Sequence, residues 1–268
     1  MAGRTRVQIA TQEQVVAAGR TSRPDCLLRG DCLEIMRLLP SGKIGMVFCD
    51  LPYGLMSCQW DSELPLGKLW PEYRRVCKPG AAMVFTACQP FTTALILSNR
   101  EEFRYCWYWV KDNKTNPFNA NRRPMNNVEE VVVFCSEPPP YYPVGLTKKP
   151  KWKTRFEKDV RKGDGPYGSQ KSGFRRKYTN YPCQTLYFSR DPVKLHPTQK
   201  PVALVEYMIR TYTNPGDVVL DNTCGSGTTA IAALKSGRRF VCIERDPEIF
   251  EVAKRRIEAA EKNPGFGL

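Results

Sequence analysis

The chain has 268 residues, 41% of them apolar, enough for one large domain or two small ones with a substantial core. It holds no run of about 18 apolar residues and opens without the apolar stretch of a secretory signal, so the expectation is a cytoplasmic protein with no membrane partner. Lys and Arg number 41 against 27 Asp and Glu, a net +14 that favours an anionic partner, while eleven Cys without a C-x-x-C pair and a single His argue against disulfides and a zinc site, so no metal is expected.

In chain order, "GDCLEIM" (Gly30 to Met36) opens a helical pattern, with Leu33, Met36 and the Leu38/Leu39 pair at three-to-four-residue steps. Asp31 stands where a helix cap would. "KIGMVFCD" then reads as a strand buried on both faces, and it ends on Asp50 followed by Leu51, Pro52, Tyr53 and Gly54. "AAMVFTAC", the aromatic "YCWYWV" and "VEEVVVFCS" read as further strands. Between the last two lies "KDNKTNPFNANRRP", with Asn113, Asn116, Arg122 and Arg123.

From Glu137 to about Leu195 the pattern breaks. The section starts "EPPPYYP" and is too long for an ordinary connection. Between Tyr141 and Asn180 it holds twelve Lys or Arg against three Asp or Glu, with Tyr141, Tyr142, Trp152, Phe156, Tyr167, Phe174 and Tyr178 interleaved. Basic residues mixed with aromatics are what a nucleic-acid surface needs; a solvated basic loop would have the same composition.

The alternation then resumes. "PVALVEYMIRTYTNPG" reads as a helix, "DVVLD" as a strand ending on Asp221, and Thr228 to Lys235 as a helix. "RRFVCIERD" is a strand reaching Glu244, and "PEIFEVAKRRIEAA" a last helix. Between Asp221 and the first of these last two helices lie Gly225, Ser226 and Gly227. Glycines permit close backbone approach, the helix start offers free N–H groups, and an acid ending the next strand can accept ribose hydroxyls. The loop lacks the G-K-[ST] of a phosphate-binding loop, and a carboxylate just before it suits an amino-bearing ligand better than a pyrophosphate. Such a turn can also be purely structural. The whole pattern predicts an α/β doubly wound, mostly parallel sheet.

Together these residues resemble the amino-group DNA methyltransferases, which modify adenine N6 or cytosine N4. "DLPYG" looks like their Asp-Pro-Pro-Tyr motif and "DNTCGSGTT" like their S-adenosylmethionine loop. "LHPTQKP" (Leu195 to Pro201) is similar to the motif before that loop in the circularly permuted beta class. The order of motifs matches over about Leu27 to Ile257. Leu51 replaces the usual first Pro, and Asp221-Asn222-Thr223 replaces Asp-Pro-Phe. The resemblance implies a Rossmann-like methyltransferase domain over 20–268, with 137–195 as an inserted target-recognition segment. It further implies S-adenosylmethionine as cofactor and double-stranded DNA with a flipped base as partner, in a restriction-modification setting that admits a homodimer.

The resemblance also assigns roles. Asp50 and the Leu51 carbonyl accept the target amine's hydrogens, Pro52 stiffens the turn, and Tyr53 stacks on the base. It makes Asn113, Asn116, Arg122 and Arg123 secondary candidates for substrate contact. Asp31 lies near the cofactor adenine and Glu244 at its ribose. Asp221 with Gly225, Ser226, Gly227 and Thr228 holds the methionine end, and Thr198, Gln199 and Lys200 close over it. Asp rather than Ser at position 50 favours adenine N6, with cytosine N4 as the nearest alternative. RNA, a protein glutamine or a non-catalytic binding subunit remain as readings of the same motifs. Pro182-Cys183-Gln184 matches the local signature of cytosine C5 enzymes, but upstream of the cofactor loop and without the buried strand that chemistry needs.

Overall fold

The computed structural model describes residues 7–17, 25–54, 64–115, 117–149, 156–157, 174–175, 177–192 and 199–262. It separates into two compact units, Met1–Tyr142 with Gln184–Leu268, and Pro143–Cys183.

The first unit begins with β1 (Gln8–Thr11), α1 (Gln12–Ala17), β2 (Cys26–Arg29) and α2 (Cys32–Leu38). Next come β3 (Ile44–Cys49), α3 (Leu66–Val76), β4 (Cys77–Ala87), α4 (Phe91–Ser98) and the long strands β5 (Phe103–Thr115) and β6 (Asn126–Phe134). Among the described residues of the second unit are four two-residue strands: β7 (Thr147–Lys148), β8 (Phe156–Glu157), β9 (Phe174–Arg175) and β10 (Tyr178–Thr179). Back in the first unit follow β11 (Thr185–Tyr187), α5 (Val202–Tyr212), β12 (Val218–Asp221), α6 (Thr228–Lys235), β13 (Arg239–Glu244) and α7 (Pro247–Lys262).

Among the described residues, nine strands form one sheet in the order β1-β2-β13-β12-β3-β4-β6-β5-β11. All pairings are parallel except those of β6, which runs against both β4 and β5. The continuous apolar run of β3 is explained by its place: all six residues are buried, because helices cover both faces. Met46 and Phe48 join the layer with α5, α6 and α7, whereas Val47 and Cys49 join the layer with α1 to α4. This alternation is the period-two geometry of a strand.

From β3 the chain crosses to β4 on one side, and from β12 it crosses to β13 on the other. The neighbouring carboxyl ends of β3 and β12 are therefore the point where the winding reverses, and a crevice opens there.

Two boundaries differ from the sequence reading. β1 pairs with β2, so the sheet starts before residue 20. Thr185–Tyr187 pairs with Tyr108–Val110, so the end of the 137–195 section belongs to the sheet and the separate unit is Pro143–Cys183. Three residues are too few to display an alternation, and only Leu186 of the three is buried. In the second unit β7 pairs with β10 and β8 with β9, both antiparallel.

Candidate active site

The register Val219↔Met46 and Leu220↔Val47 sets Asp221 beside Phe48, two residues short of Asp50. Both carboxylates line one cavity of about 740 Å³. Following the strand order, its wall runs from Gly30, Asp31 and Glu244 past Asp221, Gly225 and Thr228 to Asp50 and Tyr53. It then reaches Lys111, Asn113 and Glu129 on the β5–β6 hairpin, together with Gln199 and Lys200.

Asp50 is fixed from three directions. Its Oδ1 accepts the Tyr53 hydroxyl at 2.7 Å and the Thr86 hydroxyl of β4 at 2.5 Å, and its Oδ2 accepts Lys200 Nζ at 2.6 Å. Its backbone carbonyl accepts the Thr223 hydroxyl at 3.2 Å, which ties the turn to the glycine loop. Burial, then the charge of Asp50, hold the Tyr53 phenol well above its ordinary pKa, so it stays a donor. The Tyr53 ring stacks on Phe91 at the start of α4, centroids 5.0 Å apart and planes 26° apart. Leu51 is buried, as its apolar side chain requires.

Asp221 is 4% exposed and accepts from the Thr229 hydroxyl and the Thr223 amide, both neutral. Burial pushes its carboxyl up to about 7, and the nearby charges of Asp50 and Glu244 add to that. Asn222 is buried behind it, and its Oδ1 accepts from the Cys49 thiol and the Tyr73 hydroxyl. Glu244 takes the Gly225 amide on Oε2 at 2.9 Å and the Asp246 amide on Oε1 at 2.8 Å. Ser226 turns inward: Arg256 of α7 donates to its carbonyl and its hydroxyl, and so grips the loop from behind.

Asp31 does cap α2, accepting from the Leu33 and Glu34 amides, and it also lines the cavity. The Gln199 amide donates to Asp191, whose carboxylate accepts the first amide of α5. Asn113 lines the cavity; Arg122 and Arg123 are exposed in the turn after residues 117–119 and are not in its wall. Thr198 and Asn116 lie outside the described residues, as does most of the basic segment. Cys183 is exposed and sits in a coil rather than after a buried strand.

Sequence reasoning missed Thr86, Lys111, Glu129 and Arg256. Lys111 Nζ pairs with Glu129 Oε1 at 2.9 Å, and Lys200 Nζ lies 3.5 Å from Glu129 Oε2. The one available sign was Glu129 at the head of an otherwise mostly apolar strand run.

The DNA methylase family model for N6 and N4 enzymes matches residues 44–255, most of the chain and every wall of this cavity from Asp50 to Glu244. The chain belongs to the N6/N4 DNA methylase family. As a DNA methylase it has DNA as its partner, and the Cys183 chemistry of cytosine C5 enzymes is set aside. The methylase is 27% identical over 270 residues to the type II methyltransferase M.HinfI of Haemophilus influenzae, covering 89% of this chain and 69% of that one. Its fold matches the crystal structure of an M1.HpyAVI–SAM complex with a TM-score of 0.59 at 24% identity, over 86% of this chain and 98% of that one. It matches the cytosine-N4-specific PvuII DNA methyltransferase with a TM-score of 0.60 at 20% identity, over 88% and 87%. The methylase thus has the Rossmann-like fold that the motif order implied.

Proposed function

We propose that this methylase carries the methyl group of S-adenosylmethionine to the N6 amine of an adenine flipped out of double-stranded DNA. One observation carries the reading: adjacent parallel strands bring Asp50 and Asp221 to one cavity, so one carboxylate can meet an amino-bearing cofactor and the other an amino-bearing base.

The donor set fits the cofactor. Asp221 is a nearly buried carboxylate with neutral donors, and no cation among the described residues pairs with it, so a ligand amino group is its natural complement. Each Glu244 oxygen keeps a lone pair after accepting its amide, and these suit ribose hydroxyls. Gly30 and Asp31 would meet the cofactor's adenine, and Gly225 to Thr228 its methionine end. Bound there, S-adenosylmethionine supplies a methyl group activated by its sulfonium.

The protein's part is positioning. Two hydroxyls hold Oδ1 of Asp50, so one hydrogen of the target amine goes to Oδ2, in exchange for the Lys200 ammonium that lies on it at 2.6 Å, while the Leu51 carbonyl accepts the other. Both hydrogen bonds draw the nitrogen lone pair out of conjugation and toward the methyl, and they strengthen as positive charge develops on nitrogen. Tyr53, backed by Phe91, gives the base a rigid surface. Asp at position 50 supports adenine over cytosine. A DNA substrate supports a cytoplasmic site of action; among the described residues no helix is long and apolar enough to cross a membrane.

The test is mass spectrometry of nucleosides digested from DNA treated with the protein. Wild type gives N6-methyladenine. Asp50→Ala lowers the rate by about a hundredfold or more, as loss of a preorganised charge does, with cofactor affinity retained. N4-methylcytosine would replace the adenine reading by the cytosine one, and an undiminished Asp50→Ala rate would remove Asp50 from catalysis.

A further inference from the structure

We propose that Lys200 is a placeholder for the target amine, lying on Asp50 until the base arrives and then moving to Glu129. The inference rests on Asp50 being the acceptor of that amine.

Lys200 Nζ is 2.6 Å from Asp50 Oδ2, the oxygen left open by Tyr53 and Thr86, and 5.9 Å from the centre of the Tyr53 ring. An ammonium therefore occupies the acceptor and borders the surface that the base needs. It is well buried, with 10% of its side chain exposed. Its second anion is Glu129 on β6, and the two carboxylates hold it unequally: 2.6 Å to Asp50 against 3.5 Å to Glu129 Oε2. That Oε2 is buried and has no hydrogen-bond partner among the described residues, while Oε1 is already held by Lys111 from the neighbouring strand. A buried carboxylate oxygen without a donor is costly, and here it faces a cation just too distant to donate well. A shift of about 1 Å would satisfy it.

The charges also favour the move. Asp50, Glu129, Lys111 and Lys200 sum to zero. When the amine takes the place of Lys200 on Asp50, the cation stays in the group by closing on Glu129, so no buried charge is stranded. The shift also carries a positive charge away from a nitrogen that becomes positive as the methyl arrives, which a lysine left on Asp50 would oppose. Glu129 and Lys111 are positioning residues in this scheme, and Lys200 a gate.

The experiment is a double-mutant cycle on Glu129→Gln and Lys200→Met, using a duplex that carries the methylated site mapped from wild-type product. Single-turnover methylation is read at saturating S-adenosylmethionine and DNA, with cofactor affinity measured by calorimetry. Glu129→Gln strands Lys200 on Asp50, and the rate falls about tenfold or more with cofactor affinity unchanged. Adding Lys200→Met removes the obstacle, and the double variant is faster than Glu129→Gln alone. A double variant as slow as Glu129→Gln, or an unimpaired Glu129→Gln, overturns the placeholder.

Lys200→Met alone answers the question should Glu129→Gln fail to fold. Losing a competitor, it binds the duplex more tightly with S-adenosylhomocysteine present, although a cation has been removed. Weaker binding would mean that Lys200 only attracts DNA, and the placeholder would fall. A wild type that forms no N6-methyladenine would instead defeat the underlying reading, a distinct result.

Discussion

In the proposed cofactor role, Asp221 would trade stability for binding. Its carboxyl is raised from 3.8 to about 7 by burial first, so the folded protein holds that proton over a range in which the unfolded chain has lost it. The sign follows: the folded state binds more protons between about pH 4 and 7, and stability contributed by this group declines as pH rises through that window. A cation in the cavity reverses the preference by favouring the ionised form. Cofactor affinity should therefore rise as pH climbs toward about 7 and flatten above it. Asp221→Asn should abolish this rise, bind the cofactor weakly, and melt higher than wild type at pH 8 but not at pH 4. Calorimetric titration and thermal melts across pH check both halves. Equal pH profiles for the two proteins would mean that Asp221 does not face the cofactor's amino group.

At the level of elements, the glycine loop depends on α7 as much as on its own sequence. Gly227 has φ +81°, and a Cβ there would lie 3.3 Å from the Ala253 Cβ and 3.4 Å from Ile257 Cδ1 of α7. Gly225, at φ +51°, has open space around the same position. Gly227→Ala should then cost about 1–2 kcal/mol of backbone strain plus a packing clash, lowering the melting temperature by several degrees. Gly225→Ala should cost less stability, its methyl group having nothing to strike. A melt in which the two variants lose equal stability would refute the close approach of α7.

This loop was legible in the sequence because its parts are neighbours in the chain: a strand, two glycines, a helix from Thr228 to Lys235 and an acid ending the next strand. Asp50 and Tyr53 were legible for the same reason. Arg256 was not, because it reaches Ser226 from α7, thirty residues on. Lys111 and Glu129 were not either: Lys111 opens the polar stretch after "YCWYWV", and Glu129 lies in a separate strand run, "VEEVVVFCS". Only the pairing of β5 with β6, which sets Trp109 opposite Glu129, brings the two charges together. Local motifs give Asp50, Asp221 and Lys200; the Lys111–Glu129 pair comes from sheet register.

At the scale of the whole molecule, charge and chemistry are divided between the two units. Every wall residue of the cavity belongs to the unit Met1–Tyr142 with Gln184–Leu268. The forty residues from Tyr141 to Asn180 carry a surplus of nine positive charges out of a net +14, all of it in the other unit. Within that unit, β7 and β10 form a two-stranded ribbon, Lys149 donates its amide to the Lys177 carbonyl, and Lys148, Lys149 and Lys177 gather on it. Cations clustered on a short ribbon suit phosphates, whose neutralisation releases counterions and makes binding steeply dependent on salt. Changing those three lysines to Gln should reduce the slope of log affinity against log salt by roughly 2 to 3, about 0.9 for each phosphate that is no longer neutralised. Cofactor affinity should stay at the wild-type value, because the cavity lies in the other unit. Fluorescence-anisotropy titrations of duplex DNA between low and moderate salt measure the slope. An unchanged slope would take the ribbon out of DNA binding and leave the chain's other basic residues to explain the affinity.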